Sequence, residues 1–171
     1  MSLKLKKPLV LGDDGLPRLI RADETLDATA KEVDQVSLVN GETSAIRIGS
    51  PVYVSGSMTA KLAKADGITT KNTIGLVTEI SIINGASGNI QTDGQIVAGK
   101  LDWDAALGLI ADPIGNPNGT GLMPGAMYYL SETTAGELKV TPPASGWIQR
   151  IGTAVSETVL DLAIAEPIGL N

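Results

Sequence analysis

The sequence has no cysteine and no histidine, and these two absences exclude much of the chemistry that side chains perform. The chain has no disulfide, no thiolate nucleophile, no imidazole base and none of the usual zinc or copper ligand sets. Phenylalanine is absent as well, and two tryptophans and three tyrosines are the only aromatic residues. A hydrophobic core must therefore be built mainly from valine, isoleucine, leucine and alanine.

Basic residues are also few, and long apolar runs are lacking. Thirteen Lys and Arg stand against nineteen Asp and Glu, which gives a net charge of −6. A nucleic-acid-binding protein presents a basic face, so we expect no nucleic-acid partner. No run of about 18 apolar residues occurs, so we expect no membrane-spanning helix. Lys4, Lys6 and Lys7 are not followed by the apolar stretch of a signal peptide, and none is expected.

Glycine and proline, in contrast, are abundant. Twenty Gly and nine Pro interrupt the chain every few residues, which favours many short strands over long helices. Apolar residues make up 43% of the chain, enough for a real core. The composition predicts an all-β fold with a sandwich or barrel-like body.

One stretch occurs twice. The first pair of similar stretches is Gly49-Ser50-Pro51-Val52-Tyr53-Val54-Ser55 and Gly125-Ala126-Met127-Tyr128-Tyr129-Leu130-Ser131. The second pair is Ile74-Gly75-Leu76-Val77 and Ile151-Gly152-Thr153-Ala154. Tyr53 and Tyr129 are 76 positions apart, and Gly75 and Gly152 are 77 apart. A fixed spacing indicates repeated supersecondary units. We predict a duplicated β-hairpin unit.

The repeat divides the chain into four segments. Residues 1–40 are predicted to be an extended N-terminal arm with edge strands, in which the turn Gly12-Asp13-Asp14-Gly15 precedes a return strand. Residues 41–101 form the first β unit, 102–120 a linker loop with a helical turn at 102–107, and 121–171 the second β unit with a C-terminal tail. The two units are expected to form one body.

Strand positions in the first unit follow from its apolar runs and turn residues. Asn40-Gly41 predicts a two-residue hairpin between strands at 36–39 and 44–48. Further strands are expected at 52–54, 60–65, 74–83 and 88–97, with a turn at Asp93-Gly94. Four isoleucines are expected to supply much of the core: Ile80, Ile82, Ile90 and Ile96.

No candidate catalytic or metal-binding motif in the sequence is complete. Gly94-Gln95-Ile96-Val97-Ala98-Gly99-Lys100 has the spacing of a phosphate-binding loop, but Leu101 stands where that motif requires Ser or Thr. The residues Asp112, Asn116 and Asn118 resemble a calcium loop, but Ile114 replaces an acidic ligand. Asp93, Asp102 and Asp104 are expected to be solvated, with adventitious cation binding as the alternative. No nucleophile motif such as Gly-x-Ser-x-Gly occurs. We expect no catalytic residue, no metal site, no cofactor and no enzymatic activity.

The repeated phrases resemble those of tailed-bacteriophage structural proteins. The resemblance covers residues 40–171 and rests on turns and strands. Its phrases are Gly49-x-Pro51-Val52-Tyr53, Ile74-Gly75-Leu76-Val77, Gly121-Leu122-x-Pro124-Gly125-x-x-Tyr128-Tyr129-Leu130-Ser131, Ala135-Gly136-Glu137-Leu138, Thr141-Pro142-Pro143, Ile151-Gly152-Thr153-Ala154 and Pro167-Ile168-x-Leu170. The chain is similar to small β-rich capsid decoration, or cement, proteins, and also to modules of phage head or tail fibres.

The resemblance implies a non-enzymatic virion protein, made in the host cytoplasm, that binds the outer surface of the assembled head as a homotrimer. Its partners would be the major capsid protein and itself. Apolar arm residues would contact the capsid or a neighbouring protomer: Leu3, Leu5, Leu9, Leu11, Leu19 and Ile20. Trp103, Trp147 and Tyr128 are candidates for the trimer interface. The alternative is a head-fibre, tail or baseplate module that recognises host-surface glycans, with the loop 112–121 as its binding tip.

Overall fold

The computed structural model describes residues 9–11, 17–19, 34–109 and 119–170, and the chain forms two compact units, Met1–Lys31 and Glu32–Asn171. In the first unit, strand β1 (Leu9–Leu11) pairs with antiparallel β2 (Pro17–Leu19), which confirms the hairpin predicted around the turn at 12–15. The predicted arm extends to residue 40, whereas this unit ends at Lys31. The residues just before Gly41 belong to the second unit.

The second unit begins with a five-stranded closed barrel, which we call the first module (residues 35–91). Its barrel order is β3-β6-β5-β7-β9, and β4 and β8 form a separate antiparallel pair. All barrel pairings are antiparallel except that of β3 with β6, which closes the barrel in parallel. The strands are β3 (Gln35–Asn40), β4 (Ile46–Arg47), β5 (Pro51–Gly56), β6 (Thr59–Leu62), β7 (Gly75–Val77), β8 (Ser81–Ile82) and β9 (Ser87–Gln91).

The core of the first module consists of aliphatic side chains, as the lack of phenylalanine predicts. Its buried cluster draws every member from this module: Leu38, Ile46, Val52, Ala60, Val77, Ile82 and Ile90. The predicted core residues Ile82 and Ile90 are confirmed, but Ile80 is 79% exposed because it lies before β8, outside the alternation. The first module thus has a hydrophobic core of its own.

The hairpin predicted at Asn40-Gly41 is wrong. β3 pairs with β6 and β9, and β4 pairs with β8. The Asn40 side chain explains the difference, because its amide donates to the carbonyls of Ser44 (2.9 Å) and Ile82 (2.7 Å) and its oxygen accepts from the Glu42 N–H (2.7 Å). Asn40 therefore fixes a local turn that redirects the chain away from β3.

The second module (residues 94–162) is a five-stranded antiparallel sheet with one helix. Its sheet order is β10-β15-β14-β11-β12, and β13 pairs separately with β16. The helix α1 (Lys100–Leu107) contains the helical turn predicted at 102–107 and begins two residues before the predicted linker. The strands are β10 (Gly94–Val97), β11 (Met127–Leu130), β12 (Leu138–Lys139), β13 (Trp147–Ile148), β14 (Arg150–Ala154), β15 (Val159–Leu162) and, after the module, β16 (Ile168–Gly169).

Five strands of each module occur in the same order, so the predicted duplication is confirmed, but the predicted units 41–101 and 121–171 do not have the bounds of the two modules. Starting from β3, the barrel order β3-β9-β7-β5-β6 matches the sheet order β10-β15-β14-β11-β12. The register agrees as well, because Val52 lies opposite Gly75 in the first module and Tyr128 lies opposite Gly152 in the second. The repeat begins at β3 and at β10, so the second copy starts immediately after the turn at 92–93.

The copies differ in how the sheet edges meet. In the first module, Val39 and Asn40 at the end of β3 pair with Thr59 and Ala60 of β6. In the second, the chain leaves β10 at Gly99, the N-cap of α1, and the Asp102 carboxylate accepts a hydrogen bond from the Gly99 N–H (3.2 Å). The end of α1 lies beside β12, where the Lys139 ammonium donates to the Leu107 carbonyl (3.2 Å). A helix therefore occupies the position of the parallel strand pairing.

The second module completes its core with side chains of the first. Its buried cluster includes Ile48, Ala63, Ala65 and Leu76 from the first module as well as Trp103 and Tyr128 from the second. Backbone hydrogen bonds cross the boundary, from the Gly136 N–H to the Ala63 carbonyl (2.8 Å) and from the Ala65 N–H to the Ser131 carbonyl (2.8 Å). The two copies form one body with two unequal cores.

Candidate interaction surfaces

Three of the six predicted arm contacts lie outside the described residues, and the side chains of the other three are not described. Leu3, Leu5 and Ile20 are not described, and Leu9 and Leu11 in β1 and Leu19 in β2 are described only as strand backbone. Their contact role stays a prediction.

Two of the three proposed trimer anchors belong to the core. Trp103 is fully buried, and its indole N–H donates to the Thr158 carbonyl at 3.0 Å. Tyr128 is 1% exposed, and its phenol oxygen accepts a hydrogen bond from the Met123 N–H at 2.8 Å. A side chain enclosed this completely presents no surface to a second protomer. The sequence could not reveal this, because a rare aromatic residue suits a core and an interface equally.

Trp147 is the only one of these three aromatic residues with substantial exposed surface, and it already has an internal partner. The Lys71 ammonium lies 3.8 Å from the centroid of its ring, a cation–π distance. Gly169 of β16 approaches the same ring from across the strand pair. Its role in a trimer interface stays a prediction.

Burial of Tyr128 predicts a pH effect. Burial raises the pKa of the Tyr128 phenol above its usual value of 10.0, although the hydrogen bond from Met123 acts in the opposite direction. A raised folded-state pKa adds stability below about pH 10 that is lost as the pH rises through the folded-state pKa. We expect Tyr128→Phe to flatten the alkaline loss of unfolding free energy, measured by urea titration at neutral and alkaline pH. Tyr129→Phe is the control, and equal alkaline slopes in the two variants would contradict the prediction.

The expectation that Asp104 is solvated is wrong. Asp104 is fully buried, and its carboxylate accepts hydrogen bonds from the Thr120 N–H (2.9 Å), the Thr120 hydroxyl (3.1 Å) and the Gly121 N–H (2.8 Å). Asp102 bonds the start of α1. Within residues 34–109 and 119–170, no group of three or more acidic side chains is placed to hold a metal ion. The calcium-like residues Asp112, Asn116 and Asn118 lie outside the described residues.

The stretch with phosphate-loop spacing is a paired strand. Gln95, Ile96 and Val97 lie opposite residues of β15, and the side chain of Lys100 pairs with Glu157. The amides of Gln95, Ile96 and Val97 therefore lie in a strand and not in a phosphate-binding loop.

The second module forms one wall of a groove on the first module. We call it the first groove; it lies between residues 45–47 and Leu62. The β11–β12 turn lines it at residues 135–137, and Gly136 lies so close to Leu62 that an added Cβ would be 2.6 Å from the Leu62 Cδ2. This turn-in-groove contact includes the hydrogen bond from Gly136 to Ala63.

Within residues 34–109 and 119–170, no turn lies against the corresponding groove on the second module. Repeat spacing relates Ile46 to Leu122 and Leu62 to Val140, and both Ile46 and Leu122 are 2% exposed. This second groove lies between residues 121–123 and Val140 and is a cleft of about 490 Å³. Its walls are mainly apolar: Leu107, Leu109, Leu122, Met123, Tyr128, Leu138 and Val140. Met123 (63%) and Val140 (47%) leave much of their surface in solvent.

The β5–β6 turn of the first module is the counterpart of the turn that lies against the first groove. Tyr53 lies opposite Lys61 and Tyr129 lies opposite Lys139, so Met58 and Gly136 each stand three residues before an equivalent lysine. Both have left-handed backbone, with φ of 53° at Met58 and 77° at Gly136. Met58 is 58% exposed. Sequence inspection missed Met58, Met123 and Val140 because the repeat spacing changes across this turn.

No protein-family model matches the chain, and no match is found among curated proteins or solved structures. In the part of the chain that the structure describes, no helix has the length and apolar character needed to cross a membrane.

Proposed function

We propose that this chain is a non-enzymatic structural protein of a tailed-bacteriophage virion. It acts as a capsid decoration protein that binds the outside of the assembled head as a homotrimer and stabilises contacts between major capsid subunits. The proposal starts from the resemblance of the repeated phrases. The observation that carries it further is the division into a small N-terminal unit (Met1–Lys31) and a body (Glu32–Asn171).

This division suits a clamp. A hairpin of two three-residue strands is at best marginally stable alone, so the N-terminal unit gains most from packing on another surface. The body has its own packed cores and does not require such a surface. A protein that binds the assembled shell but not its separated subunits shifts the equilibrium towards the shell by mass action.

The test is co-sedimentation with emptied heads of the phage that encodes the chain. We expect the full chain to sediment with the heads and a chain lacking residues 1–31 to lose at least about tenfold in affinity, equal to about 1.4 kcal/mol. The shortened chain should keep the far-ultraviolet circular dichroism and cooperative unfolding of the body. Ile83→Ala, at an exposed site on the body, is the matched control and should bind like the full chain.

The fibre alternative makes the opposite prediction. Binding to a glycan array without binding to emptied heads would replace the decoration function with host-surface recognition. If the chain lacking residues 1–31 still binds heads, the decoration function stands and the body, residues 32–171, makes the contact with the head.

A further inference from the structure

We infer that copies of this chain associate head to tail, with the β5–β6 turn of one copy entering the second groove of the next. This inference deepens the proposed function and rests on it, because it names the surfaces through which the homotrimer closes. Its basis is the internal duplication, in which the same type of contact is already made once within the chain.

The contact between the β11–β12 turn and the first groove serves as the template. Within one chain, the turn that precedes β12 lies against the first groove, with left-handed Gly136 against Leu62 and its N–H donating to the Ala63 carbonyl. In the repeat, the counterpart of Gly136 is Met58, and the counterpart of Leu62 is Val140. The turn and the groove that result are both present on this chain, and among the described residues Met58 and Val140 are both exposed.

The exposed side chains fit this assignment. Met58, Met123 and Val140 are 58%, 63% and 47% exposed, and all three lie on the unused turn or the unused groove. A thioether side chain is flexible enough to fill an irregular apolar cleft such as one of about 490 Å³. Left-handed backbone at a residue other than glycine carries strain, which persists where the surroundings or a function maintain it.

The contact is heterologous, because the turn of one copy meets the groove of another. Such contacts form a closed ring when the rotation between copies divides a full turn, and an open filament otherwise. A closed homotrimer would contain six modules, two from each chain, joined alternately by the contact within a chain and its counterpart between chains.

Substitution at the turn separates this interface from other routes to a trimer. Light scattering on the full chain is expected to give a mass three times 17.6 kDa, and Met58→Asp or Val140→Asp is expected to reduce it to 17.6 kDa. Aspartate tolerates left-handed backbone, so Met58→Asp should fold normally, as thermal unfolding would verify. Ile68→Asp, at a site that is 72% exposed and belongs to neither surface, should keep the trimer.

Cross-linking tests the pairing directly, since the chain has no native cysteine. The double variant Met58→Cys/Val140→Cys should form disulfide-linked trimers on oxidation, which a non-reducing gel would show. The control variant Ile68→Cys/Val140→Cys should run as uncross-linked single chains on the same gel. A trimer that survives both Asp substitutions overturns this inference and leaves the proposed homotrimer intact. A monomer at every concentration overturns both the inference and the homotrimer, while head binding is decided separately by co-sedimentation.

Discussion

Replacing Trp103 with alanine is expected to lower the free energy of unfolding by about 3–5 kcal/mol, the range for truncating a large buried aromatic side chain. Trp103 has no exposed surface and lies in the cluster that the two modules share. Its ring packs against Gly49 of the first module, where an added Cβ would lie 2.9 Å from the Trp103 Cζ3. Truncation therefore opens a cavity at the junction of the two copies.

Chemical denaturation monitored by circular dichroism measures this loss. Trp147→Ala is the matched control, because Trp147 is only partly buried and its loss leaves a smaller cavity. We expect Trp147→Ala to cost less than half as much as Trp103→Ala. A larger effect at Trp147 would contradict the assignment of Trp103 to the core. If Trp103→Ala lowered the native mass without lowering stability, Trp103 would instead be the trimer anchor that its residue type suggested.

Replacing Gly75 or Gly152 with alanine is expected to cost about 3 kcal/mol at either site, since overpacking against a fixed backbone is strongly destabilising. A Cβ on Gly75 would lie under 3.0 Å from the Gln91 carbonyl oxygen, and a Cβ on Gly152 equally close to the Asp161 carbonyl oxygen. Gln91 and Asp161 hold equivalent positions, opposite Leu76 and Thr153. Neither glycine is required for its φ angle; each is required because a neighbouring strand approaches closely.

The most specific part of this prediction is that the two substitutions lower the free energy of unfolding by the same amount. Thermal and urea unfolding of Gly75→Ala and Gly152→Ala should agree to within about 1 kcal/mol. Gly56→Ala is the control, because a Cβ added at Gly56 would have no atom within 4 Å and the φ of this residue is not positive. A loss at one glycine only would mean that the two modules do not use the same strand approach.

The sequence predicted the fold class and the repeat because both depend on local features. Gly75 and Gly152 are needed for a close backbone approach, and Tyr53 and Tyr129 hold equivalent strand positions, so their spacing survived in the sequence. The correspondence of β3 with β10 was missed. The two strands share only a glutamine, Gln35 and Gln95, and the β-branched residue that follows it. The insertion of α1 also makes the distance along the chain from β3 to β10 differ from the repeat spacing of the other strands.

Errors arose where tertiary contacts override local preference. Asn40-Gly41 has the letters of a hairpin, but the Asn40 amide bonds a carbonyl 42 positions away. Ile80 is apolar, but it lies in a connection that no strand covers. The second groove was beyond prediction, because it is recognised only by comparing two folded copies, one of which has a turn against its groove.

The second core uses side chains of the first module, whereas the first core uses none of the second, and this difference implies an order of folding. Every side chain in the core of the first barrel is on the nascent chain once residue 90 has been added, so this barrel can close while the remainder is still being translated. The second copy needs Ile48, Ala63, Ala65 and Leu76 from the finished barrel to seal its own interior. The N-terminal half therefore acts as a template on which the C-terminal half is completed, and a circular permutant that begins at residue 94 should fold more slowly than the natural chain.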